Sequence, residues 1–224
     1  MSIDYVRIEN MLEGNIPIDG ISPEENQVLE EERQAFEIGR LADRFAQGYY
    51  GHSAAIKIAR NPISKALLTT IEPGQCVPTE TVVRKDGTKH VFSSHYYLEQ
   101  LNTSEMADVL DKVWLAGSLL SLGDALSKHD RFRHVPELEM VYHLRNGIAH
   151  GNLFNFKPSG LARLAAHPAH NRTARIRAPG VELEITPALH GRQVLFDFMC
   201  PGDVLDLLIS VSIYLRQISA RVVQ

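Results

Sequence analysis

The sequence predicts a mainly α-helical domain that carries a β-hairpin and a short antiparallel β meander. Three observations lead there. Apolar residues recur at helical spacing within residues 23–47, 104–128, 136–149 and 204–215. Asp86-Gly87 stands between two β-prone runs, Thr81-Val82-Val83-Arg84-Lys85 and Thr88-Lys89-His90-Val91-Phe92. Val181-Glu182-Leu183-Glu184-Ile185 alternates apolar and acidic side chains, as a half-buried strand should.

At 224 residues the chain reads as a single domain. Residues 1–20, with Gly14, Pro17 and Gly20, read as an irregular arm. Ser22 then serves as an N-cap, Pro23 as the first helical residue, and Glu24 and Glu25 as acids facing the positive dipole end. Val28, Ala35, Ile38, Leu41, Ala42 and Phe45 carry this helix to residue 47. Gly48-Tyr49-Tyr50-Gly51 is expected to interrupt it, and a second helix should end at Arg60, before Asn61-Pro62. The hairpin is expected over residues 81–92, with a type I′ turn at Asp86-Gly87.

Asn102-Thr103-Ser104-Glu105 opens the next helix. Val109, Val113, Ala116, Leu119, Leu120 and Leu122 or Gly123 mark its expected inner face, and Trp114 reads as core. Leu138, Val141, Leu144 and Ile148 give the helix at 136–149 a narrow apolar stripe. Residues 160–168 are alanine-rich, and His167-Pro168-Ala169-His170-Asn171 reads as a loop. The meander is expected within residues 172–199, its strands at 173–178, 181–185 and 194–199. Val204, Leu207, Leu208, Val211 and Leu215 form the apolar side of a closing helix.

Composition narrows the function. A net charge of −4 argues against a tight, extended nucleic-acid binder, yet leaves room for an enzyme acting on one phosphodiester. Cys76 and Cys200 lack zinc-like spacing and read as reduced thiols of a cytoplasmic protein. Met-Ser-Ile-Asp-Tyr opens the chain without a basic region or an apolar run, so no signal peptide is expected. Residues 204–215 are too short and too interrupted to span a bilayer, and no membrane association is expected. There is no phosphate-cradling glycine loop of the Walker type. His143 and His150 lack the close spacing of a zinc helix, so neither metal nor cofactor is expected.

The chemistry concentrates in Arg145-Asn146-Gly147-Ile148-Ala149-His150. Arginine presents a rigid fork of donors that matches phosphate oxygens, and histidine moves protons near neutral pH. Counting 100° per residue, Arg145 and His150 lie about 140° apart on an ideal helix, whereas His143, Asn146 and His150 share one side. That spacing suits a groove walled by two such helices, or a last turn that loosens at Gly147 and Gly151. Asn152 follows at the helix end. His129, Arg131, Arg133 and His134 form a basic knot just before this helix. Each residue also has a plain structural account: Arg145 as a surface ion pair, His150 and the asparagines as helix-end caps.

An arginine followed directly by asparagine, then by histidine at the sixth position, on a late helix of a helical domain, resembles the signature of the HEPN superfamily. The name stands for higher eukaryotes and prokaryotes nucleotide-binding domains. The resemblance implies a HEPN-like helical bundle that forms a homodimer, and a metal-independent endoribonuclease of bacterial defence or toxin–antitoxin systems. It further implies Arg145, Asn146 and His150 as catalytic residues. His143, Asn152, Arg131 and Arg133 are then candidates for binding RNA, and an antitoxin or other inhibitory protein is an expected partner. Two features set this chain apart: its predicted β-ribbons, and the lack of a tyrosine after His150. The alternatives are a non-catalytic binding module of the same fold, or a helical structural protein in which Arg145 is salt-bridged at the surface and no groove exists at His150.

Overall fold

The computed structural model describes residues 22–63, 66, 79–101, 103–132, 134–174 and 181–219. The expected arm at 1–20, Cys76, Arg133 and residues 175–180 lie outside the described residues. In chain order the protein forms α1 (Pro23–Arg60), β1 (Thr79–Val83), β2 (Lys89–Ser93), α2 (Ser94–Gln100), α3 (Ser104–Lys128), α4 (Pro136–Ala149), α5 (Pro158–Ala166), β3 (Ala169–His170), β4 (Glu184–Ile185) and α6 (Pro201–Ser219). The protein is therefore mainly helical, with two small antiparallel β pairs. α1, α4, α5 and α6 each begin on proline, whose missing N–H is spare in a first turn and whose fixed φ suits it. No helix among the described residues is long and apolar enough to cross a membrane.

The chain packs as two compact units: residues up to Ala46 with those from Leu115 onward, and residues Gln47–Trp114. In the first, α4 is enclosed on most sides. Leu138, Met140, Val141 and Leu144 are buried, and so are Glu137, Glu139 and His143. A buried carboxylate is costly unless hydrogen-bonded, and both acids are: Ser210 Oγ of α6 donates to Glu137 at 2.8 Å, and Arg163 of α5 grips Glu139 with two bonds of 2.6 and 2.9 Å. The closing helix presents the face its spacing predicts, with Val204, Leu207, Leu208, Val211 and Leu215 all buried. Each such side chain contributes about 1.5–3 kcal/mol relative to exposure.

In the second unit the expected break in α1 does not occur. The helix runs unbroken through Gly48 and Gly51. A Cβ at position 48 would lie 2.4 Å from the Trp114 indole, so glycine there admits a neighbouring ring rather than ending the helix. Trp114 itself is partly exposed and stacks on His52, with ring centroids 6.1 Å apart. The inner face of α3 is also shifted from expectation. Val109 and Val113 are exposed and Ala107 is buried instead, whereas Leu119 and Leu122, in the part of α3 that belongs to the first unit, are buried as expected, together with Leu115 and Leu126.

The first hairpin forms where Asp86-Gly87 places it, but not with the expected turn. Pairing runs from Thr79↔Ser93 to Val83↔Lys89. Gly87 has φ +83°, whereas Asp86 does not enter the left-handed region, so the type I′ geometry, which needs both, is absent. Arg84 N–H donates to Thr88 O at 2.7 Å and Gly87 N–H to Arg84 O at 3.0 Å, as in a type I turn followed by a left-handed glycine. Asp86 Oδ1 accepts from both the N–H and the hydroxyl of Thr88, which holds its carboxyl below the usual range.

The meander is corrected more deeply. Ala169 pairs with Ile185 and His170 with Glu184, a ladder of two residues. Residues 194–199 form turns, with isolated bridges Leu153↔Gln193 and Leu195↔Met199. Phe196 at φ +72° interrupts any strand there. Val194, Leu195 and Met199 point inward instead and are buried. α5 arises in the stretch that the sequence marks only as alanine-rich.

Candidate functional site

α4 ends at residue 149, and His150 is its C-cap (φ −100°, ψ 34°), with its backbone N–H directed to Asn146 O. Gly151 and Asn152 then turn with φ of +86° and +65°. Leu153 N–H reaches back to Gly147 O at 3.0 Å, closing the helix end. The helix thus ends in a turn at Gly151, while Gly147, expected to loosen the last turn as well, stays within regular helix. Asn152 uses its side-chain amide on the backbone of Leu195, accepting from its N–H at 2.9 Å and donating to its carbonyl at 3.2 Å. It thereby pins residues 194–199 to the end of α4 and does not line the cavity described next.

A cavity of about 160 Å³ opens between the C-terminal half of α4 and residues 154–160. His143, Asn146 and His150 line it from α4, and Phe156 and Lys157 line it from the opposite side. The shared side of the helix is thus realised as a cavity wall. His150 is exposed at the rim, and Asn146 is half-buried. Phe156 meets His143 edge-on, centroids 5.9 Å apart, and stacks on Phe154 at 5.6 Å.

His143 is only 3% exposed, and its Nε2 is buried without a hydrogen-bond partner. Burial pushes its pKa down to about 4; Glu139 opposes that shift and Arg163 adds to it. The imidazole is therefore neutral at physiological pH. A stability measurement should register this. The native state binds the proton less well than the unfolded chain, whose histidine titrates near 6.5. Stability is then full above about pH 6.5 and falls as the pH drops towards about 4. The contribution of His143 across that interval is about 3 kcal/mol. Urea unfolding at pH 7, 6 and 5 checks it: a slope in the wild type that survives unchanged in His143→Gln would assign the pH dependence to other groups.

Arg145 leaves the helix in another direction and does not line the cavity. Its stem lies across Gly123 of α3, where an added Cβ would come within 2.6 Å of Arg145 Cγ. Its guanidinium pairs with Asp124, with Nε and one terminal nitrogen 2.8 and 2.7 Å from Oδ1, and donates to Asn146 Oδ1 at 3.2 Å. Asn146 therefore links the arginine to the cavity wall that carries His150. Arg131 is buried and donates to the carbonyl of Glu31, tying the loop before α4 to α1 rather than facing solvent. Among the described residues no three His, Cys, Asp or Glu are grouped to hold a metal ion.

Sequence reasoning missed Phe156 and Lys157, which face the motif only because the chain folds back after Asn152. It also missed Asp124, which lies 21 residues before Arg145 and carries no signal of its own. No family model, curated protein or solved structure matches this chain.

Proposed function

We propose that the protein is a HEPN-like, metal-independent endoribonuclease acting at the cleft of a homodimer. A ribose 2′-OH attacks the adjacent phosphate, giving a cyclic phosphate and a free 5′-OH. His150 serves as base or acid, Arg145 stabilises charge on the transition state, and Asn146 orients the two. The observation that carries this reading is the position of Asn146, on one cavity wall with His150 and in contact with the Arg145 guanidinium. One protomer directs Arg145 and His150 apart. Two copies of the exposed C-terminal end of α4, meeting across a twofold axis, would bring both residue types to one cleft, because isologous contacts repeat the same patch. A cytoplasmic role in defence or a toxin–antitoxin pair, held in check by an inhibitory protein, fits such an activity.

One observation favours a second reading. Asp124 occupies the guanidinium that phosphate would need, which suits a non-catalytic module of the same fold that binds RNA or a protein. That pair is partly exposed, and such pairs contribute only about 0–1 kcal/mol, so a phosphate can displace the carboxylate cheaply. Incubation with mixed cellular RNA in EDTA separates the readings. The ribonuclease cleaves and leaves 5′-OH ends, and a mixture of His150→Ala and Arg145→Ala chains regains part of the activity. Binding without cleavage, under any metal condition, would establish the module instead.

A further inference from the structure

We propose that β1, β2 and α2 form a docking surface for single-stranded RNA, built from the cations of the hairpin and a cluster of three aromatic rings. The ribbon stays clear of the core: every residue from 79 to 91 is exposed, so both of its faces are. A two-stranded hairpin of that kind gains little stability by itself. Its tip is basic in an acidic chain. Arg84, Lys85 and Lys89 stand close together, opposed there only by Asp86, whereas the whole chain carries −4. Asp86 is already engaged, accepting two hydrogen bonds from Thr88.

Arg84 is the most informative of these cations. It is exposed, yet three hydrogen bonds hold its guanidinium: to Thr88 Oγ1 at 3.3 Å, to the Lys89 carbonyl at 2.9 Å and to His90 Nδ1 at 3.3 Å. No carboxylate pairs with it among the described residues, unlike Arg33, Arg145, Arg163 and Arg192. A guanidinium has five N–H donors and cannot accept, so two donors remain, and His90 carries its proton on Nε2. A fork fixed in advance and free of an acid suits an oxygen anion, because little side-chain freedom is lost on binding.

Cross-strand partners share a face of a ribbon. Glu80 pairs with Phe92, Val82 with His90, and Arg84 bonds to Thr88, so Phe92, His90 and Arg84 follow one another along one face, with Glu80 as its acid. Phe92 meets Tyr97 edge-on, centroids 5.8 Å apart, and Tyr97 meets Tyr96 at 5.1 Å; both tyrosines are exposed. Phe92 and Tyr97 also line an open apolar cavity of about 370 Å³ with Leu101, Met106 and Leu110. Same-face positions on a strand lie about 7 Å apart, near the repeat of one extended nucleotide. Each nucleotide brings an anion and a flat ring, the two things this face can bind, and a duplex hides the ring faces. An acidic peptide would satisfy the cations alone. That the nucleic acid is RNA rests on the ribonuclease reading; a surface for single strands does not.

Fluorescence anisotropy of the full chain with a labelled, unstructured 2′-O-methyl RNA of about 12 nucleotides measures docking without cleavage, since 2′-OH attack is blocked. Arg84→Ala and Tyr97→Ala should each weaken binding about ten-fold. Arg84→Lys should restore only part, because it keeps the charge and loses the fork. Lys85→Gln combined with Lys89→Gln should lower the salt dependence of log Kd by about 1.4, the share of two phosphates on a single strand. Glu80→Gln should tighten binding. In the wild type the ring-proton resonances of Tyr96 and Tyr97 should move when the RNA is added, a readout that needs no variant. Affinity unchanged across these variants, unmoved tyrosine rings, or tighter binding of duplex RNA or of polyglutamate would each overturn the surface. Ordinary RNA keeps the two ideas apart. Docking at the ribbon without any cleavage upholds the surface and sinks the ribonuclease; cleavage with an affinity indifferent to the ribbon does the reverse.

Discussion

His150→Ala is expected to lower RNA cleavage by about 10²–10⁴-fold, the usual contribution of one general acid–base group. The side chain is exposed at the rim of the cavity, on the residue that caps α4. A cation at a helix C-terminus contributes only about 0.3–1 kcal/mol through the dipole. The substitution should therefore move the melting temperature by no more than about 2–4 °C in a chain of this size. Activity and stability are the two readouts to compare. Loss of cleavage with an unchanged melting temperature assigns His150 to the chemistry. Full activity in the variant would remove it from the reaction, and a melting temperature lower by 10 °C or more would make it a structural cap.

Arg163→Ala is expected to destabilise the protein by about 3–5 kcal/mol, the range for breaking a buried ion pair from one side. The Glu139 carboxylate is fully buried, and Arg163 grips both its oxygens. The same guanidinium lies 4.1 Å from the centre of the Tyr142 ring, adding a cation–π contact. Removing the arginine leaves a carboxylate inside the protein, with His134 Nδ1 3.4 Å from Oε1 and the neutral His143 imidazole close by. Replacing both partners, as Glu139→Gln with Arg163→Met, should cost much less than Arg163→Ala alone, since no charge is then stranded. Chemical denaturation of the three proteins decides the matter; equal losses for the single and double variants would show that packing, not the buried charge, sets the cost. The effect reaches the cavity as well, because α5 is fastened to α4 by this pair and Ser159 of α5 lines the cavity.

Much of the helical frame was legible in the sequence. Pro136 and Gly151 bracket α4, and its expected span coincides with the observed one. Asp86-Gly87 located the first hairpin, and the spacing of Val204, Leu207, Leu208, Val211 and Leu215 identified the buried face of α6. These features are local: caps, turn residues and periodicity act within a few residues of each other. Where a residue answers to a distant partner, the same reasoning failed. Gly48 read as a helix breaker because its reason for being glycine, the Trp114 ring, lies 66 positions along the chain. Val194, Leu195 and Met199 have strand-like character, yet they fold into turns over the end of α4 because Asn152 holds the Leu195 backbone there.

The site divides along the same line. Helical spacing alone placed His143, Asn146 and His150 on one side of α4 and turned Arg145 away from it, and the cavity follows that division. The sequence also supplied the residue types for handling a phosphate. Only the tertiary structure decided that Asp124 holds Arg145, that Asn152 and Arg131 serve the backbone, and that Phe156 and Lys157 close the cavity opposite His150. Burial likewise made the His143 imidazole neutral and left its Nε2 unpaired. A sequence states which side chains a helix presents on each side. What each side meets depends on segments brought back by packing, whose positions no local spacing encodes.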